Sequence, residues 1–216
     1  MPRKERYMEE NKTEINNIEG RKKGLSVRDM IMIGVFGVLL LLCAMLTGGP
    51  FATIPTLTFY YPIGASLLAG PVFMLFLAKV PKLPGLMIVG VVLCILGTVT
   101  GMHWGMNFGY LICCCIASLI ANAKKYRSMF LNIVAYMVYS IGPMGTYFVF
   151  FFNRESWISF MLKKGTEQDY IDQMSSVATP LTIFIMVAGT LVLAFLSGFV
   201  GTKLMKKQFI KAGIAG

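Results

Sequence analysis

The chain has 216 residues, 56% of them hydrophobic and only 14% charged, where a soluble domain carries roughly a quarter charged. Six apolar runs between Met30 and Thr202 contain no Asp, Glu, Lys or Arg, which excludes a soluble globular fold and leaves one membrane domain. The formal net charge of +10 sits in the tails and connections, so it speaks of membrane orientation and of contact with lipid headgroups, not of nucleic acid.

A span needs roughly 20 apolar residues to cross about 30 Å of hydrocarbon. Stretches 29–47, 58–78, 84–101, 107–122, 128–152 and 179–202 meet this, the fourth being short. Backbone in lipid must satisfy its own polar groups, and the runs show no ten-residue alternation, so they are helices and not barrel strands. The expected fold is all-α, a compact bundle of six transmembrane helices. Residues 1–28 form a polar, basic tail, 29–205 the membrane domain and 206–216 a second basic tail, with outer connections at 48–57, 102–106 and 153–178. Of the 20 Lys and Arg residues, 17 fall in the two tails and the 2–3 and 4–5 connections. Only Arg154, Lys163 and Lys164 fall on the other side. Basic connections stay inside, so both termini are expected in the cytoplasm of a bacterial cell, with the chain multi-pass in its plasma membrane.

In chain order, Ser26-Val27-Arg28-Asp29 reads as a helix start, with Ser26 as cap and Asp29 near the positive dipole end. Gly34 and Gly37 offer a close-approach surface on the first span, which is expected to end at Thr47-Gly48-Gly49-Pro50. The uncharged segment Gly48–Thr58 reads as folded back on the outer mouth, either as a packing loop or as a cover for a ligand. Pro62 and Pro71 are expected kinks in the second span. Gly97, Gly101, Gly105 and Gly109 recur every fourth residue, but His103 and Trp104 between them argue for a turn at the outer face. Gly142-Pro143-Met144-Gly145 reads as a flexible point in the fifth span. Beyond it, Trp157, Phe160 and Met161, then Tyr170, Ile171 and Met174, recur at helical spacing around Lys163-Lys164-Gly165, which predicts two short amphipathic helices along the surface. Cys43, Cys94 and Cys113-Cys114-Cys115 lie inside spans. Adjacent helix positions point about 100° apart, so the triplet cannot converge on one metal and reads as small packing residues.

Catalysis lacks its parts. Ser66 follows Gly64-Ala65 but precedes Leu67 and has no histidine to activate it, the spans hold no carboxylate, and no nucleotide loop is present. Proton coupling relies on buried carboxylates or arginines, also missing from the spans. No enzyme activity and no cofactor are therefore expected. What remains is an outward cluster of aromatic and hydrogen-bonding residues of the kind a small-molecule pocket needs. It comprises His103, Trp104, Asn107 and Tyr110 from the 3–4 turn, Tyr147, Asn153, Arg154 and Trp157 from the 5–6 region, and Thr56 and Tyr60 from the first connection, with Thr53 and Tyr61 beside them. The same residue types also belong at any membrane–water boundary. A tetrapyrrole or metal-ligand role for His103, with Met102 or Met106, is a further reading.

A six-helix chain of about this length with no energy source of its own resembles the S component of an energy-coupling factor importer. It looks like the family of S components labelled Trep_Strep or MptD, on the GVFGVLLLL first span, the Gly101-Met102-His103-Trp104 turn and the ending Lys206-Lys207-Gln208-Phe209-Ile210-Lys211-Ala212-Gly213. That resemblance implies a subunit that captures a small molecule at its outer face while a transmembrane scaffold subunit and two cytoplasmic ATPases supply the energy. S components often present Ala-x-x-x-Ala on the first helix to the scaffold. Here Gly34, Gly37 and Val38 stand nearest that position, while Ala117 and Ala121 keep the spacing on another helix. The rival readings are an independent facilitator or channel, and a membrane assembly protein with no ligand.

Overall fold

The computed structural model describes residues 24–211, so the expected tails lie largely outside the described residues. Helix α1 (Val27–Ala52) starts as its sequence requires: Ser26 Oγ accepts the Asp29 N–H at 3.2 Å, and Asp29 Oδ2 accepts the Ser26 N–H at 2.7 Å. It does not stop at Thr47–Pro50 but runs through Pro50 to Ala52. Gly48 is buried against the Tyr61 ring, and that packing overrides the local breaker. A 3-10 helix, Pro55–Tyr60, follows and leads into α2 (Tyr61–Lys79). Next come α3 (Leu83–Val99), α4 (Trp104–Asn122) and α5 (Met129–Ile141), which passes through the 3-10 turn Gly142–Met144 into α6 (Gly145–Phe152). The two expected surface helices are α7 (Arg154–Lys163) and α8 (Gln168–Ser176), and α9 (Pro180–Lys211) closes the chain. The last helix continues nine residues past the expected end of its span at 202, to Lys211. Among the described residues there is no strand.

Five segments are long and apolar enough to cross a membrane: Val27–Ala52, Pro55–Lys79, Trp104–Asn122, Met129–Phe152 and Pro180–Leu204. The shorter apolar helix is α3, with 17 residues, and not the fourth as its sequence suggested. The reason is local. Gly101 takes a left-handed φ of +79° and ends α3, with Met102 N–H donating to Gly97 C=O and Gly101 N–H to Thr98 C=O. His103 then caps α4 three residues before the expected start, so the turn is tighter than 102–106.

The helices form a closed ring. α2 lies between α1 and α9, α9 reaches α5, α5 packs on α4, α4 on α3, and α3 returns to α1. Prolines shape this ring through the carbonyls they leave without a helical donor. Pro71 has no N–H for Leu67 C=O, four residues back; Ser197 of α9 donates to it at 2.6 Å, and Tyr136 of α5 donates to the adjacent Ser66 C=O at 2.6 Å. Pro62 is no kink, because it stands in the first turn of α2, where a missing donor costs no bond. The Gly142–Gly145 segment is no loose joint either. Gly142 and Gly145 press directly on Gly109 and Gly105 of α4, so close that a Cβ on Gly105 would meet Gly145 O at 2.7 Å. Through the middle of the ring runs a buried aromatic column, with Tyr110, Tyr139, Tyr136 and Phe73 at ring separations of 5.1–6.0 Å.

Candidate functional site

A cavity of about 440 Å³ opens at the end of the bundle that gathers the 3-10 helix, the 100–103 turn, α6, α7 and α8. That volume lies within the range of small-molecule sites, roughly 300–1,000 Å³. Its wall is built from the ends of elements. Ala52 comes from the end of α1, Thr58 from the 3-10 helix and Tyr61 from the start of α2. Gly101, Met102, His103 and Met106 come from the α3–α4 turn, Thr146 and Tyr147 from α6, and Trp157, Met161, Lys164, Thr166 and Tyr170 from α7, α8 and the turn between them.

Two glycine turns define the rim, and they are built alike. Gly165, at φ +87°, ends α7 as Gly101 ends α3: Thr166 N–H donates to Met161 C=O and Gly165 N–H to Leu162 C=O, both at 3.0 Å. The two turns meet, since a side-chain carbon on Gly101 would lie 3.4 Å from Lys164 Nζ.

Most polar groups on the wall already have partners. Tyr147 donates to Thr58 C=O at 2.6 Å, Tyr170 to Ala52 C=O at 2.6 Å, and Trp157 Nε1–H to Thr146 Oγ1 at 3.0 Å. His103 is different. It is 5% exposed, and its Nδ1 accepts the Gly105 N–H at 3.0 Å. An imidazole nitrogen that accepts carries no proton, so the neutral ring holds its proton on Nε2, which has no partner. Burial holds the His103 imidazolium pKa down at about 4, so the neutral ring prevails near pH 7. Nε2 is thus a donor rather than a metal ligand, because a metal-bound histidine needs its other nitrogen to carry the proton. The metal and tetrapyrrole reading of His103 is not what this geometry provides. Phe160 stands edge-on to the ring at 4.6 Å, with Trp104 at 5.2 Å and Trp157 at 6.2 Å.

Of the residues expected at the site, the structure brings His103, Tyr147, Trp157 and Tyr61 to the wall. Trp104 backs the His103 ring from outside and is 43% exposed. Asn107 is buried one turn on, its Nδ2 donating to Thr98 Oγ1 at 3.1 Å, so it joins α4 to α3. Tyr110 belongs to the aromatic column below. Asn153 caps α7 by accepting the Ser156 N–H, and Arg154 lies exposed with its guanidinium 5.0 Å from the Phe150 ring centroid. Thr56 and Tyr60 are off the wall, because a 3-10 helix repeats every three residues and puts Thr58 and Tyr61 on one face. Sequence reasoning missed Thr146, Thr166 and Tyr170 as wall residues, and Lys164 as the rim cation; the Lys-Lys-Gly stop of α7 was the available signal for the last.

Of the expected partner-facing residues, Gly37 is turned inward, where a Cβ would come within 2.9 Å of Val92, so α3 already occupies it. Gly34 has no neighbouring atom within 4 Å and Val38 is 43% exposed. All five cysteines are free, and among the described residues no three His, Cys, Asp or Glu side chains gather.

A family described as "Hypothetical bacterial integral membrane protein (Trep_Strep)" matches residues 27–211. The chain belongs to the Trep_Strep family. No curated protein and no solved structure matches it. Trep_Strep membership makes it an integral membrane protein of a bacterial family, in agreement with the apolar helices.

Proposed function

We propose that this Trep_Strep protein is a substrate-capturing membrane subunit without catalytic activity, the S component of an energy-coupling factor importer. It would bind its ligand in the 440 Å³ cavity and rely on a scaffold subunit and two ATPases for uptake. The observation that carries this is a roomy pocket at one end, backed by a buried aromatic column, in spans that hold nothing able to drive transport. In this reading α3 is the sixth, short span and both termini are cytoplasmic. Lys79, Lys82, Lys124, Lys125 and Arg127 lie at the opposite end from the cavity, whose own end holds Arg154, Lys163 and Lys164 against Glu155, Glu167, Asp169 and Asp172. The positive-inside rule then puts the cavity outside. Gly34 and Val38, open on α1, are the remaining surface for a scaffold helix to approach. An independent channel needs a continuous polar path, and Tyr110, Tyr136, Tyr139 and Phe73, each at most 3% exposed, stand where one would pass.

The test is affinity purification from the native membrane. Recovery with a membrane scaffold and paired ATPases, and uptake only when these are present, is expected. Uphill uptake by the isolated polypeptide in vesicles, driven by a proton or sodium gradient, would reject the reading. Lys164→Cys should react with a membrane-impermeant maleimide in intact cells, and Lys124→Cys only after lysis.

A further inference from the structure

The cavity wall carries a cation and no carboxylate, and several of its oxygens already take a donor. Thr58 and Ala52 carbonyls take the Tyr147 and Tyr170 hydroxyls, and Thr146 Oγ1 takes the Trp157 indole N–H. Two donors stand out: the Nε2–H of His103, 95% buried and without a partner, and the ammonium of Lys164 at the rim. Both stand against Phe160, whose ring centroid is 4.6 Å from the His103 ring and 5.7 Å from Lys164 Nζ. No carboxylate lines the cavity, and the Lys82–Asp29 ion pair is at the other end of the bundle. The α4 dipole points its positive end at His103 and α3 its negative end at Gly101, and these roughly offset; the ammonium sets the sign.

Resting on the capture reading above, the geometry points to a ligand class: a flat, largely apolar molecule bearing one carboxylate, with the carboxylate between Lys164 Nζ and His103 Nε2–H and the body among Trp157, Tyr147 and Met106. An orphaned buried donor is costly until an acceptor reaches it, and an ammonium gives such an acceptor its charge preference. A carboxylic acid drawn from the bilayer would share the head group but not the flat body. A basic ligand meets a like charge at Lys164 and no carboxylate to pair with.

The full-length protein in lipid nanodiscs would be titrated by equilibrium dialysis with 2-naphthoate, 2-naphthamide, 2-naphthylmethylamine and laurate. Naphthoate is expected to bind at least tenfold tighter than the amide, the amine not at all, and laurate more weakly than naphthoate. Lys164→Gln should weaken naphthoate about tenfold and leave the amide within twofold. His103→Asn, which keeps a capping oxygen for Gly105 but is too short to place a donor where Nε2 stands, should weaken naphthoate and naphthamide alike, several-fold. Tighter binding of the amine, equal binding of acid and amide, laurate above naphthoate, an unchanged Lys164→Gln variant, or no binding by any probe would overturn the assignment. Those outcomes concern the ligand alone. Failure of the importer reading shows separately, as purification without ATPases.

Discussion

The two ends of this bundle treat their polar groups differently. At the basic end, Lys82 Nζ reaches both Asp29 at 2.7 Å and Gly24 C=O at 2.9 Å, Ser118 donates to Leu83 C=O, and Asn132 Nδ2 donates to Tyr126 C=O at 3.0 Å. Those contacts tie α1 to α3, α3 to α4 and α4 to α5. At the cavity end the Tyr147, Tyr170 and Trp157 donors are likewise paired, yet His103 Nε2 is buried without a partner and Lys164 stands at the rim. Unpaired atoms alone do not mark a site. Asn132 Oδ1 and the Tyr126 hydroxyl are also buried without partners, but neither lines the cavity. A vacancy becomes a recognition group where it fronts a volume that a ligand can fill, and elsewhere it is a cost to the fold.

The largest effect expected from breaking this contrast is at Trp157. Its side chain is 3% exposed, packs edge-on to Phe150 at 5.1 Å and donates to Thr146. Trp157→Ala should lower stability by about 3–5 kcal/mol, read as a fall in melting temperature of the purified protein, and should abolish naphthoate binding. Next comes the body of the bundle. Ser197→Ala leaves Leu67 C=O without a donor and should cost about 1–3 kcal/mol. Adding Pro71→Ala restores the backbone N–H that Leu67 lacks, so the double variant should recover most of the loss. No recovery would show that Ser197 acts by packing on Gly70 instead.

Sequence and structure part company in an orderly way along these features. Charge-free runs and the Ser26–Asp29 start were legible because they depend on local composition and on one capping interaction. His103, Tyr147 and Trp157 could be picked out as outward-facing aromatic and polar residues. The partner of Pro71 was not legible, since Ser197 lies 126 positions away and nothing local marks it. The register of residues 55–60 was hidden for a similar reason: a 3-10 helix selects Thr58 and Tyr61 over Thr56 and Tyr60. Nor could the four glycines at 105, 109, 142 and 145 be paired from sequence, because their meaning lies in a contact between two helices.

A smaller effect should come from acid at the cavity end. The His103 pKa is about 4 in the fold and 6.5 in the unfolded chain. Between those values the unfolded state binds more protons, so stability rises with pH; the contribution is full above 6.5 and lost as pH falls through 4. Its size is on the order of 1–3 kcal/mol. Lys164, Tyr147 and Tyr170 share the wall with His103, and Glu155, Glu167, Asp169 and Asp172 stand on the neighbouring segments. His103→Asn removes only the histidine share. Melting curves from pH 7.5 to 4.5 should therefore fall more steeply for the native protein than for this variant. Parallel curves would mean that the ring is not held neutral by burial.

The smallest effect is expected at the basic end. Lys82 and Asp29 are paired at 2.7 Å but partly exposed, with side-chain accessibilities of 29% and 14%. A pair of this kind contributes about 0–1 kcal/mol, and Asp29 would keep its contacts to Ser26 without Lys82. Lys82→Met should thus lower the melting temperature only slightly, and less still in high salt, where the native pair is already screened. It should leave naphthoate affinity within twofold, because neither Lys82 nor Asp29 belongs to the cavity wall. A shift in affinity of tenfold would contradict that independence. It would mean that the α1–α3 contact at one end sets the width of the cavity at the other, and the two ends would then have to be treated as one coupled unit.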